Sequence, residues 1–157
     1  MIGDVQLAFE DFTPGRVFDL GTTLVDPDEM VAFARRYDPQ PFHVDEQAGK
    51  RSIFGGLAAS GWFTVALWMR AYADVVLNNS TSLGSPGGEE IRWPAPVFPG
   101  DELVASMEVL ETRLSKSRPG VGLVRLRAST HRGDDLVFRC TFTGMFGTRE
   151  QARGEGG

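Results

Sequence analysis

Residues 57–77 read Leu-Ala-Ala-Ser-Gly-Trp-Phe-Thr-Val-Ala-Leu-Trp-Met-Arg-Ala-Tyr-Ala-Asp-Val-Val-Leu, and this stretch decides the fold. It is apolar nearly all round, with Arg70 and Asp74 as an i, i+4 pair towards its end. A helix of that kind must be enclosed by other structure. It is not a bilayer span, because the apolar window Ile53 to Met69 is 17 residues long, holds Ser60 and Thr64, and runs directly into Arg70.

What encloses it lies downstream. Asn78 to Gly88 reads as a polar Gly/Ser-rich loop, and beyond it the apolar period changes to two. Leu103, Ala105, Met107 and Val109 alternate with Glu102, Ser106 and Glu108, and Val124, Leu126 and Ala128 with Arg125, Arg127 and Ser129; Leu136, Phe138, Cys140, Phe142 and Phe146 line another face. Pro99-Gly100-Asp101, Arg118-Pro119-Gly120 and Arg132-Gly133-Asp134 supply turns, so the spacing predicts an antiparallel meander.

Upstream, a strand is expected over Val17 to Val25. A helix follows, capped by Asp26 with Pro27 first in the helix and Glu29 three residues after the cap; Met30, Phe33, Ala34 and Tyr37 form its apolar stripe. The elements together predict an α+β fold, a curved antiparallel sheet wrapped around a long central helix, whose open edges invite dimerisation. A single domain is expected over residues 1–147, with residues 148–157, polar and holding three glycines, as a flexible tail.

Composition narrows the function classes. At 157 residues the chain is the size of one domain, and a net charge of −5 disfavours nucleic-acid binding. One cysteine, Cys140, and two histidines, His43 and His131, cannot complete a four-ligand Cys/His zinc site, and no metal is expected. The beginning of the chain carries Asp4, Glu10 and Asp11 and shows no secretory pattern, so the cytoplasm is the expected compartment and no membrane partner is expected.

The densest polar group lies between the first helix and the long one: Tyr37-Asp38-Pro39-Gln40-Pro41-Phe42-His43-Val44-Asp45. Two prolines exclude a continuous helix here and stiffen an Asp–His spacing of five residues. A rigid connector can aim a carboxylate and an imidazole into one cleft for acid/base work. The same residues serve equally as an Asx-turn and a local histidine hydrogen bond. Next comes Ser52-Ile53-Phe54-Gly55-Gly56-Leu57-Ala58-Ala59-Ser60-Gly61, where glycines precede the helix and its unpaired N–H groups can bind a developing oxyanion. Close packing at glycine explains that stretch as well.

In these residues the chain resembles the MaoC-like dehydratase family, the hot-dog-fold group that contains (R)-specific enoyl-CoA hydratases, over roughly Phe12 to Phe146. The family's signature Asp-x-Asn-Pro-x-His-x-Asp is matched at Asp38, Pro41, His43 and Asp45, and Pro96-Val97-Phe98-Pro99-Gly100-Asp101 is similar to its Pro-Val-x-x-Gly-Asp segment. The resemblance implies a hot-dog fold and reversible syn addition of water across a trans-2-enoyl-CoA to give an (R)-3-hydroxyacyl-CoA. It implies Asp38 and His43 as the catalytic dyad and Gly56 as the oxyanion amide. It implies no cofactor beyond the coenzyme A of the substrate, and a homodimer or higher homo-oligomer.

Three positions depart from the family pattern: Tyr37 stands for Gly, Gln40 for Asn, and Gly55 for the His before the oxyanion glycine. Gln40, Gly55 and Ser60, one helical turn beyond Gly56, are candidate substrate contacts. Arg113 to Arg132 holds six basic residues and no acidic one, leaving −11 on the rest of the chain. Lys116 and Arg118 in this band are candidates for the coenzyme A phosphates, with a solvated sheet face as the alternative. Two other functions suit the same fold, an acyl-CoA thioesterase and a non-catalytic acyl-CoA-binding subunit.

Overall fold

The computed structural model describes residues 7–154. Its strands are β1 (Val17–Leu24), β2 (Ser82–Arg92), β3 (Glu102–Leu114), β4 (Val121–Arg132) and β5 (Asp135–Gly147). They form one antiparallel sheet in the order β1-β3-β4-β5-β2. The helices are α1 (Pro27–Tyr37), α2 (Pro41–Val44), α3 (Glu46–Arg51), α4 (Gly61–Val75) and α5 (Arg149–Gly154). This is the expected α+β hot-dog arrangement, with α4 as its central helix.

The meander β3-β4-β5 forms where the alternation places it. Leu103, Ala105, Met107 and Val109 of β3 and Val124, Leu126 and Ala128 of β4 are buried. All but Leu103 cluster with Trp68 and Tyr72 of α4, and the Trp68 indole N–H donates to the Ser106 carbonyl across 3.0 Å. α1 starts as its cap predicts: the Asp26 carboxylate accepts from the N–H groups of Asp28 and Glu29. A second apolar cluster, Val25, Met30, Ala59, Phe63, Val97, Leu103 and Val137, binds α1 and the start of α4 to one end of the sheet.

Several expectations are corrected. The central helix opens at Gly61, not Leu57, because the amides of Ala58 and Ala59 bond to the carbonyls of Phe42 and Val97 and hold that segment extended. α4 is not enclosed all round: Trp62, Ala66 and Met69 form an exposed apolar stripe in the single chain. Tyr37 leaves the buried stripe of α1; its ring packs on Phe33 at the exposed end of the helix. Much of the expected loop over Asn78 to Gly88 belongs to β2, an edge strand whose register shifts accommodate Pro86 and its glycines. In β5, Val137 and Phe138 are both buried, because the register slips between Thr130 and His131 of β4.

The flexible tail is corrected in part. Residues 149–154 form α5, whose first amide donates to the Glu10 carboxylate while the Arg149 guanidinium pairs with Asp11. Residues 1–6 of the expected domain and 155–157 of the expected tail lie outside the described residues.

One close approach fixes the segment leading to α4. A Cβ on Gly49 of α3 would stand 2.6 Å from the Gly56 carbonyl oxygen and 2.7 Å from the Leu57 Cα, both backbone atoms. Gly49→Ala should therefore cost about 1–3 kcal/mol through overpacking. A denaturant titration checks this, and an unchanged midpoint would show that the segment yields freely.

Candidate active site

Asp38 is the C-cap of α1, where Pro39 stops the helix; its N–H still donates to the Ala34 carbonyl across 2.8 Å. Gln40 is extended, and Pro41 then occupies the first position of α2, where a missing N–H costs nothing. The connector expected between Asp38 and His43 is thus extended only as far as Gln40. His43 sits on the single turn of α2, 6% exposed. That turn carries the imidazole back over the Asp38 carboxylate, with Nε2 3.4 Å from Oδ2.

The histidine tautomer follows from its other partner. Nδ1 lies 2.7 Å from the Ala58 carbonyl oxygen, which can only accept, so Nδ1 carries a hydrogen, and whenever the ring is neutral Nε2 is the bare nitrogen that faces Asp38. Phe42 meets the imidazole edge-on and Phe54 lies roughly parallel to it, fixing its plane.

The carboxylate is bound on both oxygens. The Gln40 amide donates to Oδ1 and the Ser60 hydroxyl to Oδ2, each across 2.7 Å. Desolvation alone pulls the Asp38 pKa up, but the hydrogen bonds from Gln40 and Ser60, with the charge of the His43 ring when it is protonated, outweigh it and hold the group below the ordinary carboxylate value. Asp38 is therefore an anion at neutral pH. Its ionisation stabilises the fold above the ordinary carboxylate range, and that contribution disappears as pH falls through the lowered value.

Asp38 and His43 open on a cavity of about 570 Å³. The start of α4 lines one side and residues 93–97 line the other. Two anchors hold the second wall. The Trp93 indole N–H donates to the Gly61 carbonyl across 2.9 Å, with its ring so close that a Cβ on Gly61 would stand 2.6 Å away. Arg132 bonds the Pro96 carbonyl at 2.7 Å and Asp101 at 2.8 Å, and Asp101 in turn accepts from the Phe98 amide.

Of the residues named from the sequence, the structure brings together Asp38, His43, Gln40 and Ser60. Gly55 and Gly56 lie between the lining residues Phe54 and Ala58 without lining the cavity themselves; Gly55 is exposed and Gly56 packs on Phe98. Because α4 starts at Gly61, the amides backed by its dipole are those of Gly61 and Trp62, not Gly56. Lys116 and Arg118 sit in the β3–β4 turn, and the length of β3, about 40 Å at a strand's rise per residue, separates them from the cavity wall. Three other arginines of the basic band are ion-paired: Arg125 with Glu89, Arg127 with Glu108, and Arg132 with Asp101.

Sequence reasoning missed Thr64 and the role of Trp93. Gly61 directly after Ser60, and Trp93 between Arg92 and Pro94, were the available signals, but their contact joins segments 32 residues apart.

A curved antiparallel sheet around a central helix defines a hot-dog protein, with an Asp–His pair at the N-terminal end of that helix. The chain belongs to the MaoC-like family, since the model of the MaoC like domain matches residues 11–131. It is similar to the MaoC-like dehydratase from Rhodospirillum rubrum, with 40% identity, a TM-score of 0.84, and coverage of 91% of this chain and 98% of that one. It is 29% identical over 120 residues to the uncharacterized protein YdeM of Bacillus subtilis, covering 76% of this chain and 85% of the relative. R-hydratase PhaJ1 from Pseudomonas aeruginosa shares the fold at 22% identity and a TM-score of 0.71, over 91% of this chain and 87% of that one.

Ser60→Ala removes one of the hydrogen bonds that keep Asp38 ionised. The Asp38 carboxyl should then titrate at higher pH, read from its side-chain carbon resonance, with about 1–3 kcal/mol of stability lost. A midpoint equal to that of the parent protein would mean that Ser60 does not tune the carboxylate.

Proposed function

We propose that this protein is a hydratase/dehydratase of acyl thioesters, reversibly adding water to a trans-2-enoyl-CoA to give an (R)-3-hydroxyacyl-CoA. The observation that carries the reading is His43, its Nδ1 tied to the Ala58 carbonyl and its Nε2 facing an ionised Asp38, at the wall of the cavity. Membership of the MaoC-like family and the likeness to a protein named as a dehydratase support the reaction class.

The step balances with one proton carrier. Water held between Asp38 and His43 gives a proton to Nε2 as its oxygen bonds to the β-carbon, and the alkene electrons move onto the thioester as an enolate. The imidazolium, stabilised by the Asp38 anion, returns that proton to the α-carbon. Both new bonds form on the face that meets His43, which makes the addition syn. The enolate oxygen needs N–H donors, and the amides of Gly61 and Trp62 at the start of α4, both cavity-lining residues, are the candidates in place of Gly56, which was assigned by resemblance and does not line the cavity. No metal or redox cofactor enters.

Gln40, which stands in place of the family's Asn, reaches Asp38 with its longer amide and orients the carboxylate in this scheme. A homodimer fits the exposed Trp62, Ala66 and Met69 stripe and the open β2 edge. We place the enzyme in the cytoplasm; among the described residues no helix is long and apolar enough to cross a membrane.

The test is turnover of trans-2-enoyl-CoA substrates, following loss of conjugation and release of thiol together, in the parent protein and Asp38→Asn. Hydration without thiol, reduced by roughly 10²–10⁴-fold in the variant, is the expected outcome. Thiol release would make the protein a thioesterase, and binding without either signal would make it an acyl-CoA-binding subunit.

A further inference from the structure

Thr64 stands one helical turn beyond Ser60, is 2% exposed, and lines the cavity. Threonine inside a helix commonly turns its hydroxyl back to the carbonyl four residues earlier. Here that carbonyl, on Ser60, already accepts the amides of Phe63 and Thr64, and the Thr64 hydroxyl has no hydrogen-bond partner among the described residues. Nor is it sealed away: the described side-chain polar atom that is both buried from solvent and unpartnered is the Thr130 hydroxyl. The Thr64 hydroxyl therefore opens on the cavity, a buried polar group without a partner in the protein.

Its place relative to the dyad indicates which part of a ligand it meets. Ser60 bonds Asp38, and Thr64 lies about 6 Å further along the α4 axis. The exposed side chain of Ile53 marks the open end of the cavity. A coenzyme A nucleotide must remain outside that end, so the acyl group occupies the interior, several bonds beyond its reacting carbons at Thr64. Asp38 and His43 are the titratable side chains lining the cavity, and no Lys or Arg accompanies them. An acyl carboxylate would meet the Asp38 anion with no cation to balance it.

We propose that Thr64 forms a subsite for a neutral oxygen function on the acyl chain, a hydroxyl, ether or ketone, so that the preferred substrates are oxygenated enoyl thioesters, not plain alkyl ones. This rests on the acyl-thioester reading above. A site with a hydrogen-bonding group discriminates strongly against an analogue that leaves it unpaired, whereas an alkyl pocket does not.

The experiment compares trans-hex-2-enoyl-CoA with the same chain carrying a terminal hydroxyl, in the parent protein, Thr64→Val and Thr64→Ser. The parent should favour the hydroxylated substrate by about tenfold or more in kcat/KM; Thr64→Val should bring the ratio near unity and Thr64→Ser should preserve it. A binding readout runs in parallel, the rise in Tm caused by hexanoyl-CoA and by its terminally hydroxylated counterpart, which needs no turnover. The hydroxylated ligand should give the larger rise in the parent and lose that advantage in Thr64→Val. Absence of turnover with this pattern intact would count against the hydratase reading while supporting the subsite. An equal response to the two ligands in the parent, or the same ratio in the parent and Thr64→Val, overturns the subsite.

Discussion

The hydrogen bond from Ser60 to Asp38 joins the end of α1 to the beginning of α4 across 22 residues of chain, and the geometry of the site depends on it. It is possible because both helices end at fixed points. Pro39 stops α1 at Asp38, and the amides of Ala58 and Ala59 are taken by other segments, so α4 starts only after Ser60. A carboxylate at such a junction needs hydrogen-bond donors for its charge, and Gln40 and Ser60 provide them. The result is an anion whose position and charge state are set by folding.

The site rests on the smaller of the two apolar clusters, where Phe63 and Ala59 pack with Met30, Val97 and Leu103. The larger cluster, around Trp68, Tyr72, Leu126 and Phe138, fastens the rest of α4 to the sheet. One helix thus links the dyad to the main core, which gives the reacting groups a rigid support. The opposite cavity wall, by contrast, is irregular chain. It is kept in place by the Trp93 bond to Gly61 and by Arg132, whose charge serves the wall and not a coenzyme phosphate.

Local rules were legible in the sequence. The Asp26 cap, Pro27, the β3–β5 alternation and the paired prolines around Gln40 act over a few residues, and the elements formed where those residues placed them. What escaped was set by distant partners. α4 is shortened by carbonyls of Phe42 and Val97, and α5 is stabilised by Glu10 and Asp11 from the other end of the chain. The Gly-rich 82–92 segment lacks a strand-like pattern because an edge strand with register shifts buries little of it. At the site, the juxtaposition of Asp38 and His43 was legible through their motif, and Ser60 through its place just before the central helix. Thr64 and Trp93 were not, because an apolar helix pattern and a proline-flanked tryptophan say nothing of which cavity they line.

The account turns on the proton arrangement at His43, which a long-range proton–nitrogen correlation spectrum of the imidazole measures directly. For the neutral ring the expected result is hydrogen on Nδ1, donated to the Ala58 carbonyl, and a bare Nε2. A neutral ring protonated at Nε2 instead would contradict it, because the face towards Asp38 would then hold no base to take a proton from water.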